Sequence, residues 1–205
     1  MSGAVVARPS ADWMAHAVFR QQHMPFSSDS VPLSPAVHMA RLTDPARLAA
    51  LEASLLLDGV GLPILDRLAR IACALLAVPV ALVSLVDDHG QHFPGLAGLE
   101  GFAGDDRGTP LSHSFCQYVV TSDCAMLVED AALSELVRDN LARRDLGVVA
   151  YAGVPLRNAE GQTLGAFCAI DTKPRAWADD DLSLLENLAA AAMAEIRARS
   201  QACRE

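Results

Sequence analysis

Apolar and polar positions alternate along this chain with two different periods, and the switches between them mark its elements. Asp44-Pro45 sets a capping residue before a proline in the first helical position, and Leu48, Leu51 and Leu55 follow at helical spacing. Asp58-Gly59 and Gly61 break that helix, and Pro63 opens the next, with Leu65, Leu68, Ala72, Leu75 and Leu76 as its apolar stripe. The stretch VALVSLV (80–86) is short and β-branched and reads as a buried strand. A turn over Asp87–Gly90 returns the chain as a second strand over 91–96.

Residues 97–110 are rich in glycine and aspartate and read as a mobile loop. Ser112 is expected to cap a short helix through Val120, and 126–129 makes a third strand. Residues 133–146 are helical or irregular and charged. Segments 148–156 and 163–170 form a hairpin around Asn158-Ala159-Glu160-Gly161, where the glycine is available for a positive φ. A long helix from about Asp179 to Arg199 closes the chain, with Leu182, Leu185, Ala189, Ala192 and Ile196 on one face. Three aspartates at its start and two arginines near its end complement the helix dipole.

Short links between neighbouring strands favour antiparallel pairing. The order predicts an α+β domain with helices packed on one face of an antiparallel sheet. Residues 1–43 are expected as an extension and linker with a short amphipathic helix over 11–24, residues 44–199 as the domain and 200–205 as a tail.

Composition narrows the function classes. The net charge is −9 and the basic residues are scattered, which argues against a nucleic-acid reader. Although 52% of residues are apolar, no uninterrupted stretch suits a bilayer, and no basic start followed by an apolar block announces secretion. Five cysteines at scattered spacing outline neither a disulfide framework nor a zinc site, so a cytoplasmic setting is expected.

The segments PVALVSLVDDHGQHF (79–93), SHSFCQYVV (112–120), LVEDA (127–131), YAGVPLRNAEGQTLGAFCAIDTKPRAW (151–177) and DLSLLENLAAAAMAEI (181–196) together resemble the GAF domain family over about residues 44–198. The resemblance implies a GAF-like central antiparallel sheet. Terminal helices pack on one of its faces and often build a dimer, and loops and short helices enclose a small-molecule pocket on the other. It implies a cytoplasmic sensory and regulatory binding domain rather than an enzyme. A stand-alone domain of this kind is expected to signal through a protein partner or as a homodimer through its terminal helices. A second apolar row, Leu184, Leu188 and Ala191, is available for that contact. No motif specifies a cofactor or the identity of the ligand.

The candidate ligand-binding residues are Phe93, Phe115, Cys116, Asp130, Tyr151 and Phe167. Cys116 lies near a predicted helix start with His113 three residues before it, a setting that favours thiolate, so a redox-reactive thiol is the alternative to a packing residue. Asp130 is placed by the resemblance near the pocket rim, and it equally suits a turn cap. Tyr151 offers an aromatic face with a hydroxyl. The three phenylalanines read equally as core. Cys73 and Cys168 read as inert core, and a Cys116–Cys124 disulfide is a lesser option.

Some members of the family reduce free methionine sulfoxide with a thiol from the segment before the penultimate strand. Residues 132–150 hold no cysteine, which argues against that chemistry and also against covalent bilin attachment within 133–146. His89, His92 and His113 complete no metal-ligand pattern.

Overall fold

The computed structural model describes residues 26–27, 33–98 and 107–202. The helix expected over 11–24, most of the glycine-rich stretch after residue 98, and Cys203 lie outside these residues.

Among the described residues seven strands form one sheet in the order β1-β5-β6-β7-β2-β3-β4: Phe26–Ser27, Met126–Val128, Ala150–Arg157, Thr163–Asp171, Val80–Val86, Gly90–Ala97 and Gly108–Pro110. The two-residue β1 runs parallel to β5, and every other pairing is antiparallel. The predicted α+β architecture is therefore the observed one. The β6–β7 turn falls where predicted, with Gly161 at φ 81° and its N–H donating to the Asn158 carbonyl.

Two irregularities set which side chains face which way. The register between β2 and β3 slips by one residue between Val83 and Leu85, opposite Phe93 and Pro94. Proline has no ladder donor and is tolerated at such a bulge. In β7 Leu164 is the extra residue, so Leu164 joins Phe167 and Ala169 on one face while Ala166 and Cys168 face the other.

Helices α1 (Pro35–Leu42), α2 (Pro45–Glu52) and α3 (Pro63–Leu76) each begin with proline. Ser34 and Asp44 cap the first two through their side chains. Helix α3 ends at Ala77 in the left-handed conformation, before Pro79. On the helix side of the sheet, α3 and the long α6 (Asp179–Ala202) bury Leu65, Ala69, Leu76, Leu185, Ala192 and Ile196 against β2, β6 and β7.

Helix α1 lies in the stretch read as linker. It packs on α4 (Cys116–Ser122), with the two ring nitrogens of His38 bonded to Thr121 Oγ1 at 2.9 Å and Gln117 Oε1 at 3.1 Å. Its last residue, Leu42, is fully buried in the apolar cluster of the opposite sheet face. Ser34-Pro35 starts this helix as Asp44-Pro45 starts the next, and that local signal outweighs the Ser/Pro-rich composition upstream.

The second apolar row expected on the last helix is mostly used within the chain. Leu188 is buried and Leu184 packs on the core, leaving Ala191 exposed. Exposed apolar surface sits instead on α3, at Ile71 and at Leu75, which is 64% exposed. Among the described residues no helix is long and apolar enough to cross a membrane.

Candidate functional site: a small cavity on the sheet face

Strand alternation directs Val80, Leu82, Ser84 and Val86 of β2, Gln91 and Phe93 of β3, and Tyr151 of β6 away from the helices. Opposite them lie α4, the 3₁₀ turn Leu111–His113, and the short α5 (Leu141–Asp145). A cavity of about 50 Å³ remains between the two layers. Leu82, Phe93, Phe115, Cys116, Val148 and Tyr151 form its apolar walls, and Gln91, Thr109, His113 and Thr172 supply its polar edge.

Gln91 organises that edge. Its carbonyl oxygen accepts from Ser84 Oγ at 3.2 Å and from Ser114 Oγ at 2.8 Å. Its amide nitrogen donates to Thr109 Oγ1 at 2.7 Å and to the His113 carbonyl at 3.3 Å. One buried amide thus joins β2, β3, β4, the 3₁₀ turn and the start of α4. The sequence reasoning missed Gln91. The available signal was its strand parity with Phe93, two residues on.

Ser114, not Ser112, caps α4: its Oγ accepts from the Gln117 N–H at 3.1 Å. Ser112 lies in the preceding 3₁₀ turn, where its Oγ shares a hydrogen bond of 3.0 Å with His113 Nδ1. His113 Nε2 meets Asp145 Oδ2 at 3.2 Å, linking that turn to α5 beside the cavity. The hydrogen bond from Arg144 is the main cause pulling the Asp145 carboxyl down to about 2; desolvation opposes it, and the hydrogen bond from His113 adds to the lowering.

At the floor, Tyr151 Oη donates to Cys116 Sγ at 3.4 Å, and Cys116 Sγ lies 3.8 Å from Cys168 Sγ. The Phe115 and Tyr151 rings are 5.5 Å apart and tilted. Burial, reinforced by the two neighbouring thiols, pushes the Tyr151 phenol well above its ordinary value, so it stays a donor. The hydrogen bond with Cys116 and then burial push the Cys168 thiol well up. For Cys116 the hydrogen bond with Cys168 is the largest influence and lowers its pKa; burial opposes it, while Tyr151 and Ser84 lower it further.

Phe93, Phe115, Cys116 and Tyr151 therefore converge on the cavity. Phe167 does not: it points to the helix side and is fully buried there. Asp130 is not among the lining residues. Its Oδ1 accepts from the Ala132 N–H at 2.9 Å, so it closes a local turn. Cys168, read as inert core, is the thiol nearest Cys116, while Cys124 lies past the end of α4 with its N–H on Ser122 Oγ. Among the described residues no group of three or more His, Cys, Asp or Glu side chains suits a metal ion. A second, open cleft of about 310 Å³ lies between α1 and α4, lined by His38, Gln117, Tyr118 and Leu136.

This architecture is an antiparallel sheet with helices on one face and a closed insert over a small cavity on the other, and residues 62–196 match the GAF domain family. The chain belongs to that family, whose domains are generally sensory or regulatory and bind small molecules. Two solved GAF domains from phosphoenolpyruvate-protein phosphotransferases share the fold. The one from Coxiella burnetii has a TM-score of 0.58 at 17% identity, covering 83% of this chain and 99% of that domain. The Acinetobacter domain has a TM-score of 0.55 at 16% identity over 78% of this chain.

Among characterised relatives, the chain is 36% identical over 135 residues to a protein of Pseudomonas aeruginosa named as a cyclic di-GMP phosphodiesterase. That match covers 65% of this chain and spans 22% of the relative's length. The expectation of a binding domain rather than an enzyme is corrected by this match, because the relative is named as an enzyme.

Proposed function

We propose that this chain is a sensory module that takes a small, largely apolar guest in the sheet-face cavity and couples its occupancy to cyclic di-GMP turnover. The cavity carries this reading: Phe93, Phe115, Cys116 and Tyr151 wall a space with a polar edge supplied by Gln91, Thr109, His113 and Thr172. Apolar walls with a few placed polar groups are what small-molecule sites require. Similarity to the Pseudomonas aeruginosa protein supports the cyclic di-GMP context.

Size limits the guest. The cavity is about 50 Å³, against roughly 300–1,000 Å³ for pockets that hold drug-sized ligands. A cyclic dinucleotide is far larger, so cyclic di-GMP is not the guest of this cavity in its present form.

Signal output runs through the helices on the opposite face. The exposed Ile71 and Leu75 on α3 support a homodimer contact there or docking of a signalling partner. Cys73, Cys116, Cys124 and Cys168 are free thiols, which supports a cytoplasmic setting.

Native mass spectrometry of the purified chain, followed by denaturing extraction, tests the reading. The expected result is a small molecule released on unfolding. A chain that carries no guest, and gains no thermal stability from a panel of small metabolites, overturns it.

A further inference from the structure

Two buried thiols face each other under the cavity. Cys116 sits in the first turn of α4 and Cys168 in the central strand β7, with their sulfurs 3.8 Å apart. A disulfide bond is about 2.05 Å long, so the two sulfurs need to approach by less than about 2 Å to bond. Neither thiol is otherwise engaged in a disulfide.

The two differ in access. Cys116 lines the cavity, whereas Cys168 lies behind it, fully buried. The cavity's volume of about 50 Å³ is several times the roughly 10–15 Å³ that one water requires. Hydrogen peroxide is little larger than water and fits there. Tyr151 Oη points at Cys116 Sγ from 3.4 Å and donates to it, an arrangement that stabilises negative charge on that sulfur.

We propose that Cys116 and Cys168 are a peroxide-responsive dithiol, oxidised to an intramolecular disulfide by a small hydroperoxide that enters through the sheet-face cavity. In the first step the Cys116 thiolate attacks one peroxide oxygen. The O–O bond breaks, the alcohol or water leaves with the proton the thiol gave up, and Cys116 becomes a sulfenic acid. In the second step the Cys168 sulfur attacks the Cys116 sulfur. The S–O bond breaks, and hydroxide leaves as water with the Cys168 proton. Two thiols lose two electrons and the hydroperoxide gains them. The product ties α4 to the middle of the sheet and draws Cys116 away from Tyr151, which changes the cavity wall.

The inference rests on the proposed access of small molecules to the cavity, but needs no resident guest. It is tested on the full chain with hydrogen peroxide and tert-butyl hydroperoxide, by acid quench, alkylation in denaturant and peptide mapping without reduction. The expected product is a Cys116–Cys168 linked peptide that dithiothreitol reverses. Because the bulkier probe does not fit the cavity, it should react roughly tenfold more slowly. In Cys168→Ser a dimedone adduct should accumulate on Cys116 instead; the mapping of the unaltered chain stands even if that variant folds poorly. Recovery of both thiols under peroxide that oxidises Cys124, linkage of Cys116 to Cys124, or equal rates with the two probes overturns the inference. A chain with no co-purified guest that still forms the bond retains this inference and loses the ligand reading. A chain with a guest that never forms the bond, even after the guest is removed, does the opposite.

Discussion

The phenol of Tyr151 occupies the space above Gly153: a β-carbon at residue 153 would lie 2.2 Å from the Tyr151 hydroxyl oxygen. Residues 151 and 153 point to the same sheet face, and only the missing side chain lets the ring lie along β6. Gly153→Ala must therefore push Tyr151 off Cys116. The expected cost is about 1–3 kcal/mol, the range for overpacking a well-filled core, read as a lower urea midpoint with an unchanged slope. Tyr151→Phe relieves no clash and should leave the midpoint nearer to that of the unaltered chain.

Phe115 and Phe167 are both buried, on opposite faces of the sheet. Each Phe→Ala substitution should cost about 3–5 kcal/mol. Only Phe115→Ala enlarges the cavity, so only that variant should gain affinity for a small aromatic probe such as benzene, measured by calorimetry or by a crystal soak.

Arg47 is 5% exposed, and its guanidinium donates to the carbonyls of Val86, Leu42 and Arg41. It ties the ends of α1 and β2 together. Burial lowers its pKa, while Asp44, Asp87 and Asp88 hold it charged. Hydrogen bonds to charged groups contribute about 1.5–3 kcal/mol, so Arg47→Met should destabilise by at least that much. Loss of amide-exchange protection in α1 should accompany the change.

Asp87 closes the β2–β3 turn, accepting from the His89 and Gly90 N–H groups at 2.7 and 2.6 Å and meeting His92 Nε2 at 2.8 Å. Burial raises the carboxyl's pKa, but the bonds from His92, His89 and Gly90 outweigh it and leave the value lowered. A carboxyl with a depressed folded-state pKa stabilises above its unfolded value of about 3.9, and that contribution disappears as pH falls through the folded value. Asp87→Asn should thus be less stable than the unaltered chain at pH 7. The difference should shrink below about pH 4, measured by urea unfolding across the pH range.

Leu75 presents 64% of its surface to solvent on α3. If that face joins two copies, Leu75→Lys should shift the dimer to monomer by light scattering. The monomer's stability should change by no more than about 0.5 kcal/mol, as for an exposed site.

Local chemistry made much of this fold legible. Asp44-Pro45, the run 80–86, the Asn158–Gly161 turn and the apolar stripe of the last helix each carry their signal within a few residues, and each forms as predicted. Four of the six candidate site residues reach the cavity for the same reason: strand parity aims Phe93 and Tyr151 outward, and the start of α4 carries Phe115 and Cys116. Parity also explains Phe167, which the bulge at Leu164 and the pairing of β7 leave on the helix side.

What only the tertiary structure decided are meetings between distant residues. Cys116 and Cys168 are 52 positions apart, His38 and Gln117 are 79 apart, and Gln91 reaches Ser114 across 23. Periodicity fixes which face a side chain takes, because that depends on neighbours along the backbone. Which side chain it meets depends on strand order and helix docking, and those are settled by the packing of the whole chain. The sequence by itself determined the layers and the kind of domain; packing alone chose the thiol pair, the Gln91 junction and the size of the cavity.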